Sequence, residues 1–574
     1  MASEAFRGAI DSAEAVAFDV FDTLIVRPFW RPKDLFRFIE AESKRDGFAK
    51  ERIDAEKRAR RTIRPEVDLD EIYSVMDKRF RDLKDSEISA EISFCRADSD
   101  ALALFAYAKE KGKRIVIVSD MYLPSEVISK ILEKNGYSGY DRLYVSNETG
   151  GSKHDGSMYD MVSKDLGLSD DKILMIGDNA RSDTSVSRSK GMSACRWIPL
   201  RERYAAGHRK EAKYAAESLS ASVLAGVDAL QWQENVEPDN YWYQIGRRYG
   251  GPMAAAFTMF IRDHCPSDAD LILFCSRDGY VPMKAYETLC GSKVPVSYYY
   301  TSRLLCKIFG DGNTDDPQDL EQAVVSFLRD TGRAKDIGMP DEFGSWKEQH
   351  SFMTQHRETI ERILDEGRTR YLNYVHSITD GHVSIVLVDT TTMRYSAQKA
   401  ISGYLKDRTK ITGCYYAITK RSDLPCYAYH DRSREHITWS YVNLAEYLFS
   451  SNEAPIRDVG DDKKPVYLTH LSSDEKLRID NCDDIHHGEC DYIRFFKGLF
   501  DSRMPSIDGG SVDRWIKLLF GCEKHGDDRN KLSGTLWAID TGNKEFRHLL
   551  FRPSESLFVL RTKMGKLFHR TFFN

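Results

Sequence analysis

The sequence predicts an α/β protein built on two parallel sheets, with a helical C-terminal region. Three observations carry this reading. Short apolar runs at residues 15–18, 114–118 and 173–176 recur with charged, helix-patterned stretches between them. A second set, at 270–275, 294–300, 383–388 and 411–416, repeats the pattern after residue 240. The runs are mainly apolar, as strands buried on both faces of a parallel sheet are, and most lead into polar residues. A length of 574 residues suggests two to four domains.

The first run ends in Phe18-Asp19-Val20-Phe21-Asp22-Thr23-Leu24. Sites in parallel α/β sheets lie outside the carboxyl ends of strands. Asp19 and Asp22 are therefore expected in a crevice, where one carboxylate can act as nucleophile and the other as acid/base. Residues 27–95 read as a charged helical insert, with apolar residues at helical spacing in 34–39 and 72–76. Its run Lys57-Arg58-Ala59-Arg60-Arg61 reads first as a solvated helix face, and second as a contact for an anionic substrate. The run 114–118 leads into Ser119-Asp120, and 125–136 reads as a helix closed by a glycine. A polar loop, Gly150-Gly151-Ser152-Lys153, follows, and 173–176 leads into Gly177-Asp178-Asn179-Ala180-Arg181-Ser182-Asp183. Three strand ends thus offer an acid, a hydroxyl and an acid, with one lysine between them.

In that order these motifs resemble the haloacid dehalogenase (HAD) superfamily of phosphohydrolases, over about the first 200 residues. The resemblance implies a Rossmann-like parallel sheet with a helical cap at about 27–95. It implies Asp19 as the nucleophile that becomes an aspartyl-phosphate, with Asp22, Ser119 and Lys153 completing the catalytic set. Thr23, Ser119, Asp120 and Lys153 would hold the phosphoryl group, and Asp19, Phe21, Asp178 and Asp183 would hold Mg²⁺, a hard cation suited to oxygen ligands. Phosphoryl transfer needs such in-line attack and neutralisation of the equatorial oxygens. The chain departs from the family at one point. The acid/base usually sits two residues after the nucleophile, where this chain has Phe21, and Asp22 is one place later.

Residues 201–235 are Ala-rich with an apolar stripe at Leu219, Val223, Leu224, Val227 and Leu230, and read as a connecting helix. Glu237-Pro238-Asp239-Asn240 marks a boundary. In the second domain, 236–425, three runs end in groups suited to an anion: Ser276-Arg277-Asp278-Gly279, Thr301-Ser302-Arg303 and Asp389-Thr390-Thr391-Thr392. This order resembles a type I phosphoribosyltransferase. The resemblance implies that Ser276, Arg277, Asp278, Gly279, Ser302, Arg303, Asp389, Thr390, Thr391 and Thr392 bind PRPP. Thr390 stands where that family has a second acid, and the usual glycine of the loop is missing.

The two modules together resemble polysaccharide ribofuranosyltransferases and hydrolases of bacterial surface-polysaccharide loci. That implies transfer of ribose 5-phosphate from PRPP to a glycan acceptor, lipid-linked or soluble, followed by removal of the 5-phosphate to leave β-ribofuranose. The other reading is a sugar-phosphate phosphatase whose C-terminal part is a non-catalytic scaffold for glycosyltransferase partners.

Residues 426–574 read as mainly helical, with helices at 443–449 and 512–520. Cys482, His486, His487 and Cys490 have no common zinc spacing and read as structural. The basic and aromatic tail 561–573 reads either as a docked segment or as a contact with an anionic membrane surface. A net charge of −6 gives no nucleic-acid footprint. Eleven cysteines without a CxxC pair suit a reducing compartment. The first residues lack a signal pattern, and no apolar run reaches a membrane span, so the expected location is the cytoplasm, with at most peripheral contact at the inner face of a membrane.

Overall fold

The computed structural model describes residues 2–234, 240–291, 293–310, 317–405, 409–431, 439–520, 532, 536–540 and 545–548. The chain forms two compact units, residues 1–237 with 498–505, and 238–497 with 506–574. The tail 561–573 lies outside the described residues, as does the boundary stretch 235–239.

The first unit is organised by five strands: β1 (Ala15–Phe18), β2 (Arg114–Ser119), β3 (Arg142–Val145), β4 (Ile173–Gly177) and β5 (Ser193–Arg196). Their order is β3-β2-β1-β4-β5, all parallel. Phe18 pairs with Ile117 on one side and Ile176 on the other. The residues that follow β1, β2 and β4 therefore emerge side by side. All of β1 and β4 is buried, which explains their unbroken apolar sequence.

The insert after β1 leaves through an antiparallel pair, Ile25–Val26 against Arg96–Ala97, and consists of helices Asp34–Ser43, Phe48–Thr62, Leu69–Ser74 and Lys84–Phe94. Leu35, Phe36, Phe38 and Ile39 are buried on one face. Asp68 starts the third helix through a capping box with Glu71. The basic run is occupied by acids: Lys57 pairs with Asp54, Arg58 with Glu51 and Arg60 with Glu56. Deeper in the insert lie two ion pairs, Arg27–Glu91 and Arg52–Glu87.

The stretch expected as one connecting helix is three: Leu200–Gly207, Arg209–Ala215 and Leu219–Glu234. Ser218 restarts the chain by accepting the Ala221 N–H. The apolar stripe runs only along the last of the three.

The second unit has its own five-stranded parallel sheet: β6 (Leu271–Cys275), β7 (Val296–Tyr299), β8 (Ser384–Thr392), β9 (Lys410–Ile418) and β10 (Cys426–Asp431). The order is β10-β9-β8-β6-β7. The chain runs from β6 outward to β7, then crosses back to β8 on the other side. That reversal makes the carboxyl ends of β6 and β8 a topological switch point. The region expected as mainly helical opens with β10 and contains the pair Ile456–Val459 against Pro465–Tyr467. Its helices are Trp439–Phe449, Ser473–Phe500 and Gly509–Phe520. Among the described residues no helix is long and apolar enough to cross a membrane.

Candidate active site

At the end of β1 the Asp19 side chain is buried. Its Oδ2 accepts the Thr23 hydroxyl at 2.9 Å, and its Oδ1 lies 2.5 Å from Lys153 Nζ. The same ammonium is 2.8 Å from Asp183 Oδ1. The Lys153 loop is tied to the end of β2, where Asp120 accepts the Lys153 N–H at 2.9 Å. Ser119, the last residue of β2, is also buried. Asp183 sits on the turn after β4, and its Oδ2 accepts the Asn179 N–H at 3.0 Å. A Cβ on Gly177 would collide with that oxygen, so the close approach of Asp183 to β4 requires glycine there. Asp19, Asp178 and Asp183 can each present an oxygen within 4.8 Å of the others.

The electrostatics follow from crowding. Burial pushes the Asp19 carboxyl up, against the Lys153 charge, with Asp183 and Asp178 adding to the rise. Burial also raises Asp178, helped by Asp22 and Asp183. Burial alone would lower Lys153, yet the Asp19 and Asp183 carboxylates hold it well above the usual lysine range. Three carboxylates facing one ammonium leave uncompensated negative charge, which fits a hard divalent cation on oxygen ligands. Asp19, Asp178 and Asp183 would hold it. Phe21 could add only its main-chain carbonyl. Its ring lies under the Arg27 guanidinium at 4.6 Å.

Asp22 occupies the left-handed region, φ 60°, in a turn closed by Asp22 N–H to Ile25 O at 2.8 Å. Its Oδ2 accepts from Arg201 Nη1 at 2.7 Å. The one-residue displacement from the family position therefore does not take Asp22 away from the cluster, since its charge acts on Asp178.

In the second unit the ends of β6 and β8 bring together part of the candidate PRPP set. Thr390 donates to Asp278 Oδ2 at 3.2 Å, and Ser450 donates to Asp278 Oδ1 at 2.6 Å. Asp389 Oδ1 accepts the Thr390 N–H at 2.9 Å. Burial, then the neighbouring Asp278, pushes the Asp389 carboxyl up to about 7. Several other members of the set hold the loops themselves. Ser276 donates to Thr301 O at 2.7 Å, and Ser302 caps the next helix through Leu305 N–H. The Thr392 hydroxyl accepts the Tyr395 N–H at 2.8 Å. Arg277, at φ 66°, pairs with Glu475 at 3.1 Å. Gly279 is fixed by packing, because a Cβ there would collide with Cys275 O. Arg303 is exposed, and Thr391 lies beside Glu446.

Sequence reasoning missed Glu446, Asn443 and Ser450. Asn443, Glu446 and Ser450 stand at i, i+3 and i+7, on and just past the mostly apolar helix Trp439–Phe449, which was the available signal. The Cys482 and His486 side chains both turn to Ser450 O, at 3.1 and 3.0 Å. Among the described residues, the metal-suited group is the Asp19 cluster.

Residues 13–187 match the model of the haloacid dehalogenase-like hydrolases. This part of the chain is a HAD-like hydrolase domain. Similar solved structures include L-2-haloacid dehalogenase from Xanthobacter autotrophicus, at 17% identity over 32% of this chain and 77% of that one, with a TM-score of 0.24. A predicted phosphoglycolate phosphatase from Haemophilus somnus is 15% identical over 32% and 84%, with a TM-score of 0.25. A HAD family enzyme from Bacteroides thetaiotaomicron, in complex with magnesium and inorganic phosphate, is 17% identical over 32% and 93%, with a TM-score of 0.23. No curated protein matches the chain significantly. The matched part of the HAD-like domain contains Asp19, Asp22, Ser119, Lys153, Asp178 and Asp183.

Proposed function

We propose that the HAD-like domain is a Mg²⁺-dependent phosphomonoester hydrolase. The carrying observation is Lys153 Nζ seated between Asp19 and Asp183, with Asp178 beside them. Asp19 attacks phosphorus while Lys153, Ser119 and Thr23 stabilise the phosphoryl oxygens. Asp22 protonates the leaving oxygen and then activates water against the aspartyl-phosphate. The cation would neutralise charge on the transferring group. The test is phosphate release from a panel of sugar phosphates by the full chain. Wild type turns over with Mg²⁺ and Asp19→Asn does not. Undiminished turnover by Asp19→Asn overturns the proposal.

A second, wider reading is favoured by Asp278, Asp389 and Thr390 meeting at the switch point. In it the second unit transfers ribose 5-phosphate from PRPP to a glycan acceptor, and the HAD-like domain removes the 5-phosphate in the cytoplasm, at the inner face of a membrane if the acceptor is lipid-linked. Asp19→Asn, supplied with Mg²⁺, PRPP and lipid-linked or soluble glycans, then accumulates an acceptor heavier by a pentose plus a phosphate. PRPP left intact and unbound returns the second unit to a scaffold that recruits glycosyltransferases.

A further inference from the structure

The three carboxylates at the switch point are not equivalent. Asp278 is committed to the fold, since each of its oxygens accepts a protein hydroxyl, from Thr390 and from Ser450. Asp389 uses Oδ1 on the Thr390 N–H and keeps Oδ2 without a protein partner among the described residues. Asp389 is only half-buried, so a ligand hydroxyl can reach that oxygen. Glu446 is the third. It projects from helix Trp439–Phe449, one turn before Ser450, and is 8% exposed. The charged groups acting on it are Asp278, Arg303 and Asp389, and the Thr391 hydroxyl lies beside it. One turn earlier on the same face, Asn443 is 4% exposed, and its Nδ2 has no hydrogen-bond partner among the described residues. An orphaned buried amide donor costs about 1–3 kcal/mol. Such a group is explained if a bound molecule accepts from it.

Resting on the PRPP reading above, we propose that helix Trp439–Phe449 forms the acceptor side of that site. Glu446 takes the proton of the attacking hydroxyl, and Asn443 donates to an acceptor oxygen. The hydroxyl oxygen bonds to C1 of the ribose as the bond from C1 to the pyrophosphate oxygen breaks. The electron pair leaves with pyrophosphate, and the hydroxyl proton ends on a Glu446 carboxylate oxygen, from which it passes to water. Burial and the neighbouring Asp278 raise the Glu446 carboxyl, which brings it toward the range where a general base works best near neutral pH.

The test separates donor binding from transfer. The full chain, with Asp19 intact, is given PRPP, and glycerol at high concentration serves as the probe acceptor. PRPP binding is measured by equilibrium dialysis and pyrophosphate release by a coupled assay. Glu446→Gln binds PRPP as wild type does, which also reports that it is folded. It releases pyrophosphate on the order of a hundredfold more slowly and loses the rise of rate with pH. Glu446→Asp recovers part of the rate. Asp389→Asn loses PRPP binding. If wild type fails to bind PRPP, the parent reading falls and the inference with it. If PRPP binds but wild type and Glu446→Gln release pyrophosphate equally, at zero rate included, the assignment of Glu446 alone is overturned.

Discussion

Arg201 Nη1 donates to Asp22 Oδ2 at 2.7 Å across 179 residues of sequence. The contact joins the turn after β1 to the first helix beyond β5, and it fixes a carboxylate whose backbone is in the left-handed region. Asp22→Asn should lower turnover of alkyl phosphates by about 10²–10⁴, the usual worth of a positioned acid/base. With p-nitrophenyl phosphate, whose leaving group needs no proton, the same variant should show one rapid equivalent of nitrophenol before a slow phase, because water attack on the aspartyl-phosphate also needs Asp22. Arg201→Met should slow both steps by up to about a hundredfold through loss of aim. The backbone gives an independent check. Asp22→Ala should be less stable than Asp22→Gly by about 1 kcal/mol, since alanine bears the left-handed cost without local hydrogen bonds.

Lys153 is the counter-charge on which the buried carboxylates depend. Lys153→Met should cost about 3–5 kcal/mol in metal-free protein, because it leaves Asp19 and Asp183 buried beside each other without a cation. Asp19→Asn should act in the opposite sense and raise the metal-free melting temperature, since it removes one of the crowded charges. Mg²⁺ should then raise the melting temperature of wild type more than that of Asp19→Asn, because it binds only the folded cluster. Calorimetry with and without chelator reads all three. Equal metal responses would remove Asp19 from the ligand set.

Much of this was legible in the sequence. β1, β2 and β4 read cleanly because a strand buried on both faces leaves an unbroken apolar run, and their polar ends mark the crevice. β10 did not, because Cys426-Tyr427-Ala428-Tyr429-His430-Asp431 mixes polar and aromatic residues at a sheet edge. The 28-residue helix Ser473–Phe500 hid behind its charge, because acids and bases interrupt its apolar positions through the first half. Its Cys482 and His486 have the chemistry of metal ligands, although the fold uses them to meet Ser450 O. Arg201 was invisible for a different reason, and Glu446, although its spacing from Asn443 was readable, could be given no role for the same reason. Their roles depend on which distant strand end they meet, and no local period encodes that.

The insert of the first unit offers a test of how a buried ion pair holds a cap. Arg52 and Glu87 are fully buried, with Arg52 Nε 2.7 Å from Glu87 Oε2, and the Tyr73 hydroxyl donates to the same oxygen at 2.8 Å. The guanidinium also lies 4.6 Å from the ring of Tyr122, three residues beyond Ser119. Arg52→Met should cost about 3–5 kcal/mol by stranding Glu87, whereas Arg52→Met with Glu87→Leu should regain most of that. Both variants remove the cation from the Tyr122 ring, so both should raise KM for phosphoesters if the loop after β2 takes its position from the cap. A double variant that stays as unstable as Arg52→Met would mean that packing around the pair, not its charge, sets the stability.

Asp389 sets a pH dependence of the second unit. Its folded pKa is raised to about 7, against 3.8 for the ordinary carboxyl, by burial and by Asp278. Between those values the folded state binds the proton and the unfolded state does not. Unfolding free energy contributed by this group is therefore highest below about pH 4 and falls as pH rises toward 7, after which it is level. The loss is at most a few kcal/mol, since a tenfold difference in proton affinity between the folded and unfolded chain is worth about 1.4 kcal/mol. Asp389→Asn, which keeps the shape and cannot ionise, should flatten that slope and make the second unit more stable than wild type at pH 8. Hydrogen exchange of the β8 amides at pH 5 and 8, corrected for the intrinsic rates, reads the effect within this unit alone. A wild-type slope that survives in Asp389→Asn would assign the titration to Glu446, the neighbouring carboxyl that burial also raises.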